Sequence, residues 1–374
     1  MAIIFINGFN SRAGGGKSIL NNYLSLLSQK SLNDNYIVLT PDKGDYIKYE
    51  NNEIRIIQLP KILHNSLLQL VVYSFYLNKI IIKFNTDLVL NLADIPIRTS
   101  HKQVFLFDWA YAVYPKSTVW KLMTLREWFH RKTKILLFKK YKKFINLILA
   151  QTETIKDRLI KIYDFKSVKI LPNAVSIDNL ANDYFKEFNL PDGVRLLYLT
   201  HYYSHKNIEI FIDLAKEIRS KDLDYKLIVT LEVDHNKKVS TFFNDVKKEG
   251  LDSIIYNVGS VEMKDVPSLY RQCDGLLMPT LLESFSGTYV EAMFHNIPIF
   301  TSNFDFARDV CKDGAMYFDP FDVQDIIGQL NFIFCNDNEK NELLKRAKTV
   351  LSELPDWPKV IAILDNIIKS ELNH

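Results

Sequence analysis

The residues best placed to do chemistry lie in Pro279-Thr280-Leu281-Leu282-Glu283-Ser284-Phe285-Ser286-Gly287-Thr288-Tyr289-Val290-Glu291-Ala292-Met293. Eight positions separate the two glutamates. On a continuous helix that is ~12 Å along the axis, too far to grip one atom together. Carboxylates spread this way bind hydroxyls at opposite ends of a long polar ligand. The segment follows an apolar run, Gly275–Met278, and should turn into a helix near Ser286–Thr288. There the amides of Ser286, Gly287 and Thr288 would meet a central anion. A sugar, a diphosphate and a ribose in series have that layout. The competing reading is an ordinary helix-start acid at Glu283 and a solvated Glu291.

A second candidate is Ser11-Arg12-Ala13-Gly14-Gly15-Gly16-Lys17-Ser18, between the first apolar run and the first helical pattern. Gly16-Lys17-Ser18 fits the end of a nucleotide-binding G-x-x-x-x-G-K-[ST] loop, but Ser11 replaces its leading glycine. A partner acid for magnesium is also hard to find, since Asp94 follows a run containing Asn91 and precedes Ile95-Pro96. The loop still lets backbone approach a ligand and opens a helix whose N–H groups favour anions. Phosphate or sugar contact is expected here rather than ATP hydrolysis. Packing against a neighbouring domain would require the same small residues.

The elements that must position these residues are short apolar runs alternating with helical patterns. Strands are expected at Ile3–Ile6, Ile37–Leu39, Ile54–Ile57, Leu88–Leu92, Val104–Phe107 and Leu147–Ala150. A second series is expected at Leu196–Leu199, Leu227–Thr230, Ile254–Val258, Leu276–Met278, Ile297–Phe300 and Met316–Phe318. Between them, Ile19, Leu20, Tyr23, Leu24 and Leu27 are spaced by three and four, one face of a helix. The alternation predicts an α/β chain of two doubly wound, Rossmann-like domains facing across a cleft. The expected boundaries are 1–182, 190–355 and a terminal helix over 356–374 that returns to the first domain. The break falls between Asn182 and Gly193.

Composition narrows the class further. The 374 residues are 47% hydrophobic and 24% charged, which excludes disordered, collagen-like and disulfide-scaffold chains. Glycine is scarce at 12 residues, and four of them, Gly8, Gly14, Gly15 and Gly16, fall in the first sixteen positions. Cys273, Cys311 and Cys335 form no C-x-x-C pair, which suits reduced thiols rather than zinc. The most apolar stretch, Leu67 to Leu77, is interrupted by Gln69 and is far shorter than the ~18 residues of a spanning helix. The first residues show no basic leader or cleavage site. A cytoplasmic location is therefore expected.

The segment Glu283 to Met293 resembles the E-x7-E motif of retaining glycosyltransferases of family 4, which have the GT-B fold. The likeness covers nearly all of the second half. Leu171-Pro172-Asn173-Ala174-Val175 is similar to the family's interdomain turn, and Tyr198 to Asn207 to the segment carrying its diphosphate-binding lysine. Leu269 to Asp274 and Ala315 to Pro320 match in type and order. The resemblance implies that Glu283 contacts donor-sugar hydroxyls, Glu291 the ribose and Lys206 the diphosphate, with amides from Ser286, Gly287 and Thr288. It implies that Gly15 and Gly16 approach the donor phosphate or the acceptor, and that Asp108 lies near the transferred sugar. Asp108 is also placed to cap the next helix. Two positions depart from the pattern. Thr200-His201-Tyr202-Tyr203 lacks the family's arginine, leaving His201 or a basic residue elsewhere to act with Lys206. Ser286 stands where a glycine is usual, with Gly287 one place later.

The resemblance implies retention at the anomeric carbon, a UDP- or GDP-linked sugar as substrate and no cofactor. The only strict Asp-x-Asp, Asp222-Leu223-Asp224, lies in a charged connection and reads as a solvated turn. Metal-independent transfer is expected, with no metal site. Residues 119–144 carry nine Lys or Arg against Glu127 alone, interleaved with Trp120, Trp128, Phe129, Phe138 and Tyr141. The near-neutral total of +3 conceals this one basic surface. Such a helix suits an anionic membrane surface; a solvated face covering the sheet is the alternative. No nucleic-acid module accompanies the charge. The expected partners are a nucleotide-sugar donor and a glycan or lipid-linked oligosaccharide acceptor, at the inner face of the plasma membrane. The product would be a surface polysaccharide, such as lipopolysaccharide. A P-loop-like nucleotide hydrolase or kinase, and a non-catalytic sugar-nucleotide-binding protein, remain the competing functions.

Overall fold

Each of the twelve apolar runs contains a strand in the computed structural model, which describes residues 1–11, 14–29, 33–64, 68–175, 184–233 and 237–373. Arg12 and Ala13 of the glycine loop, Leu67 and the expected break at Asn182 lie outside them. The first sheet comprises β1 (Ile3–Asn7), β2 (Asn35–Thr40), β3 (Ile54–Gln58), β4 (Leu88–Asn91), β5 (Lys102–Phe107), β6 (Leu147–Ala150) and β7 (Val168–Ile170). The second comprises β8 (Val194–Tyr198), β9 (Tyr225–Val229), β10 (Ile255–Asn257), β11 (Gly275–Met278), β12 (Ile299–Ser302) and β13 (Met316–Phe318). Only β7 had no forerunner in the apolar pattern. It is a three-residue edge strand whose middle residue, Lys169, is exposed, so it shows no buried run.

Both sheets are parallel throughout. Their orders are β3-β2-β1-β4-β5-β6-β7 and β10-β9-β8-β11-β12-β13. Strand order reverses between β1 and β4 and between β8 and β11, and loops at the carboxyl ends there can open outward to hold a ligand. The runs read as continuously apolar because helices cover both faces. In the second sheet β8, β9, β11 and β12 bury Leu197, Ile228, Leu277 and Phe300.

Two compact units result. One comprises Met1–Pro115, Thr124–Ala174 and Pro355–His374; the other comprises Lys116–Met123 and Val175–Leu354. In the first unit the helix Trp357–Asn373 buries Trp357, Val360, Ile361, Leu364 and Ile368 against Leu20, Leu24 and strand residues Leu88 and Leu90. Fully burying one such side chain stabilises by roughly 1.5–3 kcal/mol. Below the carboxyl edge runs a buried polar chain. Asn7 Nδ2 donates to Asn91 Oδ1 at 2.9 Å, and Asn91 Nδ2 donates to Gln103 Oε1 at 2.9 Å. Gln103 Nε2 closes it on the carbonyls of Ile97 and Phe144. Asn91 thus holds three strands together where a nucleotide hydrolase would keep an acid.

Candidate active site

In the second unit, β8 and β11 are neighbours, and the chain leaves each of them across the carboxyl edge. Tyr198, fully buried at the end of β8, donates its hydroxyl to the Lys206 carbonyl at 2.8 Å. The His205 carbonyl accepts from Leu281 N at 2.7 Å and from Thr280 Oγ1 at 3.2 Å. Asn207 adopts a left-handed φ of 53° and donates Nδ2 to the Pro320 carbonyl at 2.9 Å. Three segments far apart in sequence are thereby tied into one loop cluster.

The cluster places Lys206 Nζ 2.5 Å from Glu283 Oε1. The same oxygen accepts from Thr280 Oγ1 at 2.9 Å. The two side chains are 14% and 12% exposed, so their attraction is less screened than that of a surface pair. Glu283 precedes the helix, which runs Gly287–Phe294. Ser286 occupies the N-cap in extended conformation and makes no side-chain cap. The first amides of that helix are left to other partners, which favours an anion. One turn in, Glu291 accepts from the Tyr270 hydroxyl at 3.0 Å. Burial raises its carboxyl above the usual range, opposed by the Tyr270 hydrogen bond. Glu291 is therefore half-buried and hydrogen-bonded rather than fully solvated. A Cβ at Gly287 would lie 3.4 Å from Val175 Cγ2 and 3.9 Å from Glu291 Oε1, ordinary contact distances, so the start of this helix does not demand a glycine.

His201 is exposed, and its carbonyl accepts from Thr200 Oγ1 at 2.9 Å. A cation that does reach this turn is Lys238, which donates to Ser204 Oγ at 3.3 Å and to the Leu122 carbonyl at 3.1 Å. It had no signal beyond a Lys-Lys pair opening the helix Lys237–Lys248. Asp224 of the Asp-x-Asp pairs with Lys226 at 3.3 Å, and Gly193, at φ +114°, packs its backbone against the Asp224 carboxylate. Both are turn chemistry.

In the first unit, the helix Gly14–Ser28 begins within the glycine loop, so Gly15 and Gly16 lie in its first turn. A Cβ at Gly16 would sit 3.7 Å from Ser11 Cα and 3.9 Å from Asp108 Oδ2. The structure therefore brings the loop and Asp108 together. Some of Asp108 remains open to solvent, but its carboxyl is crowded by protein. Burial and then the nearby Asp94 carboxylate push it up to about 7, against the pull of Lys134. His130, in the same cluster, is lowered by burial and by Lys134 and Arg131. Lys17 Nζ pairs with Asp45 at 3.0 Å, and Lys134 pairs with Asp94. Both groups that a nucleotide hydrolase would need are so engaged.

The basic stretch is not a single helix. Val119–Leu122 ends at Met123, and Thr124 opens Leu125–Tyr141 with a reciprocal cap to Glu127. The break separates the units, since Lys116–Met123 belongs to the second and Thr124 onward to the first. Several cations serve the fold: Arg131 lies 3.8 Å over the Tyr111 ring, and Lys142 donates to the Tyr163 carbonyl. Phe138 and Tyr141 are buried. Leu125, Phe129 and Leu136 are exposed at 78%, 63% and 65%, beside the exposed Arg126, Lys139, Lys140 and Lys143. Among the described residues no helix is long and apolar enough to cross a membrane.

Residues 182–350 match the protein family described as Glycosyl transferases group 1. Over that span the chain is similar to group 1 glycosyltransferases. The chain is also 25% identical over 299 residues to the O-antigen chain mannosyltransferase RfbU of Salmonella typhimurium, covering 76% of this chain and 78% of that protein. Among solved structures it is similar to sucrose-phosphate synthase from Thermosynechococcus elongatus, with a TM-score of 0.76, 13% identity and 99% of each chain covered. It is likewise similar to Anabaena HepE in complex with UDP and glucose, with a TM-score of 0.71, 13% identity and 99% and 100% covered. These likenesses establish the fold as GT-B, two Rossmann-like parallel sheets in an α/β chain.

Proposed function

We propose that the protein is a retaining glycosyltransferase that moves a sugar from a UDP- or GDP-linked donor to a glycan acceptor, probed best as a lipid-linked oligosaccharide. The observation that carries this reading is the Lys206–Glu283 pair beside the start of the helix Gly287–Phe294. In the reaction the bond between the anomeric carbon and the diphosphate oxygen breaks, and the diphosphate keeps the electron pair. Lys206 and the amides at Gly287 and Thr288 stabilise that developing charge, as preorganised donors do elsewhere. The acceptor hydroxyl forms the new bond on the same face, and its proton passes to the departing phosphate oxygen. Glu283 holds donor-sugar hydroxyls, Glu291 the ribose, and Asp108 meets the transferred sugar. No metal is invoked for the leaving group.

The name of the Salmonella relative supports a role in O-antigen or related surface-polysaccharide synthesis. The exposed apolar and basic residues between Leu125 and Lys143 support peripheral attachment to an anionic inner membrane face, where a lipid-linked acceptor would lie. The hydrolase alternative is disfavoured by the engagement of Lys17 and Asp94.

Thermal unfolding with UDP, GDP and their sugar conjugates tests the reading. A ligand at 100 times its Kd stabilises by about 2.7 kcal/mol. One nucleotide series should stabilise the protein, and transfer should disappear in Glu283→Ala. Equal response to ATP and to every sugar nucleotide would refute it, and binding with transfer intact in Glu283→Ala would refute the role of Glu283.

A further inference from the structure

Glu291 is held in place from a different element of the second unit. The helix Val266–Tyr270 precedes β11, and its last residue, Tyr270, is fully buried. The Tyr270 hydroxyl donates to Glu291 Oε2 at 3.0 Å and, more weakly, to the Thr288 carbonyl at 3.3 Å. A hydroxyl has one proton, and the nearer, charged acceptor takes the larger share of it. Burial first, and then the Glu291 charge, raise the phenol well above its usual range, so Tyr270 keeps its proton and remains a donor.

The ring that carries this hydroxyl is itself fixed. His295 stacks on it nearly parallel, with ring centroids 5.1 Å apart and planes 12° apart. His295 ends the helix that carries Glu291, and its backbone N–H donates to the Glu291 carbonyl at 3.0 Å. Burial, and then Arg271, lower the imidazole to about 4, so two neutral rings form the stack at physiological pH. With Oε2 engaged, the other carboxylate oxygen lies beside the helix start, 3.9 Å from where a Gly287 Cβ would be. A glutamate that grips a ligand loses rotamer freedom, and here much of that loss already occurs in the folded chain. A sugar hydroxyl meeting this oxygen finds an acceptor already in position. An analogue without the hydroxyl leaves that half-buried acceptor unpaired, which is how a site rejects it.

We propose that Tyr270 is a positioning residue that sets the discrimination between ribose and deoxyribose nucleotides, by holding Glu291 with Oε1 presented to a sugar hydroxyl, and that His295 supports it by fixing the Tyr270 ring. This role rests on the reading of Glu291 as the ribose-binding acid and extends it to the nucleotides that the site refuses. Tyr270→Phe removes only the hydroxyl and keeps the ring and its stack. His295→Ala removes the stack at a half-buried helix end and leaves the hydroxyl.

The test is calorimetric titration of the full chain with UDP and GDP and with their 2′-deoxy and 3′-deoxy forms. For the base that binds, the wild type should prefer the ribonucleotide to at least one deoxy form by about tenfold, ~1.4 kcal/mol. Tyr270→Phe should weaken the ribonucleotide and leave that deoxy form close to its wild-type affinity, bringing the ratio near one. His295→Ala should reduce the ratio by about threefold, the scale of one aromatic pair. Adding it to Tyr270→Phe should change the ratio no further, since the two act through one hydroxyl. The proposal is overturned if Tyr270→Phe keeps the wild-type ratio. It is equally overturned if that variant weakens ribonucleotide and deoxynucleotide alike, as loss of a merely structural tyrosine would. Should Tyr270→Phe fail to fold, an unchanged ratio in His295→Ala overturns the proposal instead. Glu291→Gln separates the two readings. A ratio lost there but kept in Tyr270→Phe sinks the role of Tyr270 alone. A ratio kept in Glu291→Gln, or equal wild-type affinity for all three forms, sinks the ribose reading and the proposal with it.

Discussion

Glu283 and Asp108 both stand just past a parallel strand on the carboxyl edge of a doubly wound sheet, and their surroundings are opposite. Glu283 meets a cation, Lys206, at 2.5 Å and a hydroxyl donor, Thr280, at 2.9 Å. Asp108 meets another acid, Asp94, in a crowded place, and its carboxyl is pushed up to about 7. One functional group, the carboxylate, is thus fitted to two jobs. The first is part of a charge-balanced receptor tied together through the carbonyls of His205, Lys206 and Pro320. The second is a group that changes its proton within the physiological range. The difference teaches that equivalent places on two carboxyl edges can hold a carboxylate paired with a cation in one unit and a carboxylate crowded by a second acid in the other.

The strongest way to break that contrast is Lys206→Ala. Removing one preorganised donor from a developing anion costs about 10²–10³ in turnover. The loss should persist at saturating donor, whereas Asp222→Ala should be near neutral. A double-mutant cycle with Glu283→Ala sharpens the point. If the two residues act as a unit, the double variant should be no slower than the worse single one. Multiplying losses would show two independent contacts.

Asp108→Asn comes next. For an acid raised in the folded state, the folded chain holds a proton that the unfolded chain has released. Stability is then greatest below the unfolded value near 4 and falls as pH rises to about 7. Chemical denaturation of the wild type from pH 4 to pH 8 should show that decline, and Asp108→Asn should lack its part of it. If ionised Asp108 assists transfer, the wild-type rate should also climb through about pH 7, and the asparagine variant should be slower and flatter. A pH profile unchanged by the substitution would remove Asp108 from the chemistry.

What could be read in advance follows the same divide. Twelve strands were legible because parallel sheets covered on both faces leave continuous apolar runs, and β7 was not because Lys169 interrupts a short edge. Glu283, Ser286 and Glu291 were legible because they lie in one contiguous segment. The pairing of Lys206 with Glu283 spans 77 positions and depends on Tyr198, Thr280 and Asn207 bonding to backbone. Lys238 was illegible for the same reason, its partner Ser204 lying far off in sequence. The break at Thr124 did have a local signal, Thr124-Leu-Arg-Glu127, which is the pattern of a capping box. It was hidden by the strength of the charge run around it.

The membrane proposal predicts a smaller effect. Lys139→Glu with Lys140→Glu changes exposed cations beyond the capped start of the helix. Each basic residue near an anionic surface contributes about 1 kcal/mol. Sedimentation with anionic vesicles should fall by more than tenfold in affinity, with donor binding unchanged, and high salt should erase the difference. Equal recovery of both proteins on neutral and anionic vesicles would remove the helix from membrane binding.

The smallest expected effect is also the one that discriminates best among functions. In a nucleotide-hydrolysing loop, the lysine of Gly16-Lys17-Ser18 would bind the terminal phosphates, and its loss would abolish turnover. Here Lys17 pairs with Asp45 at 3.0 Å, with the side chains 40% and 57% exposed. An exposed pair of this kind contributes about 0.2–1 kcal/mol to stability. Lys17→Ala should therefore leave the fold and sugar transfer close to wild type. Collapse of transfer in Lys17→Ala would show that the loop handles phosphate after all, and the assignment of phosphate handling to the second unit would have to be redrawn.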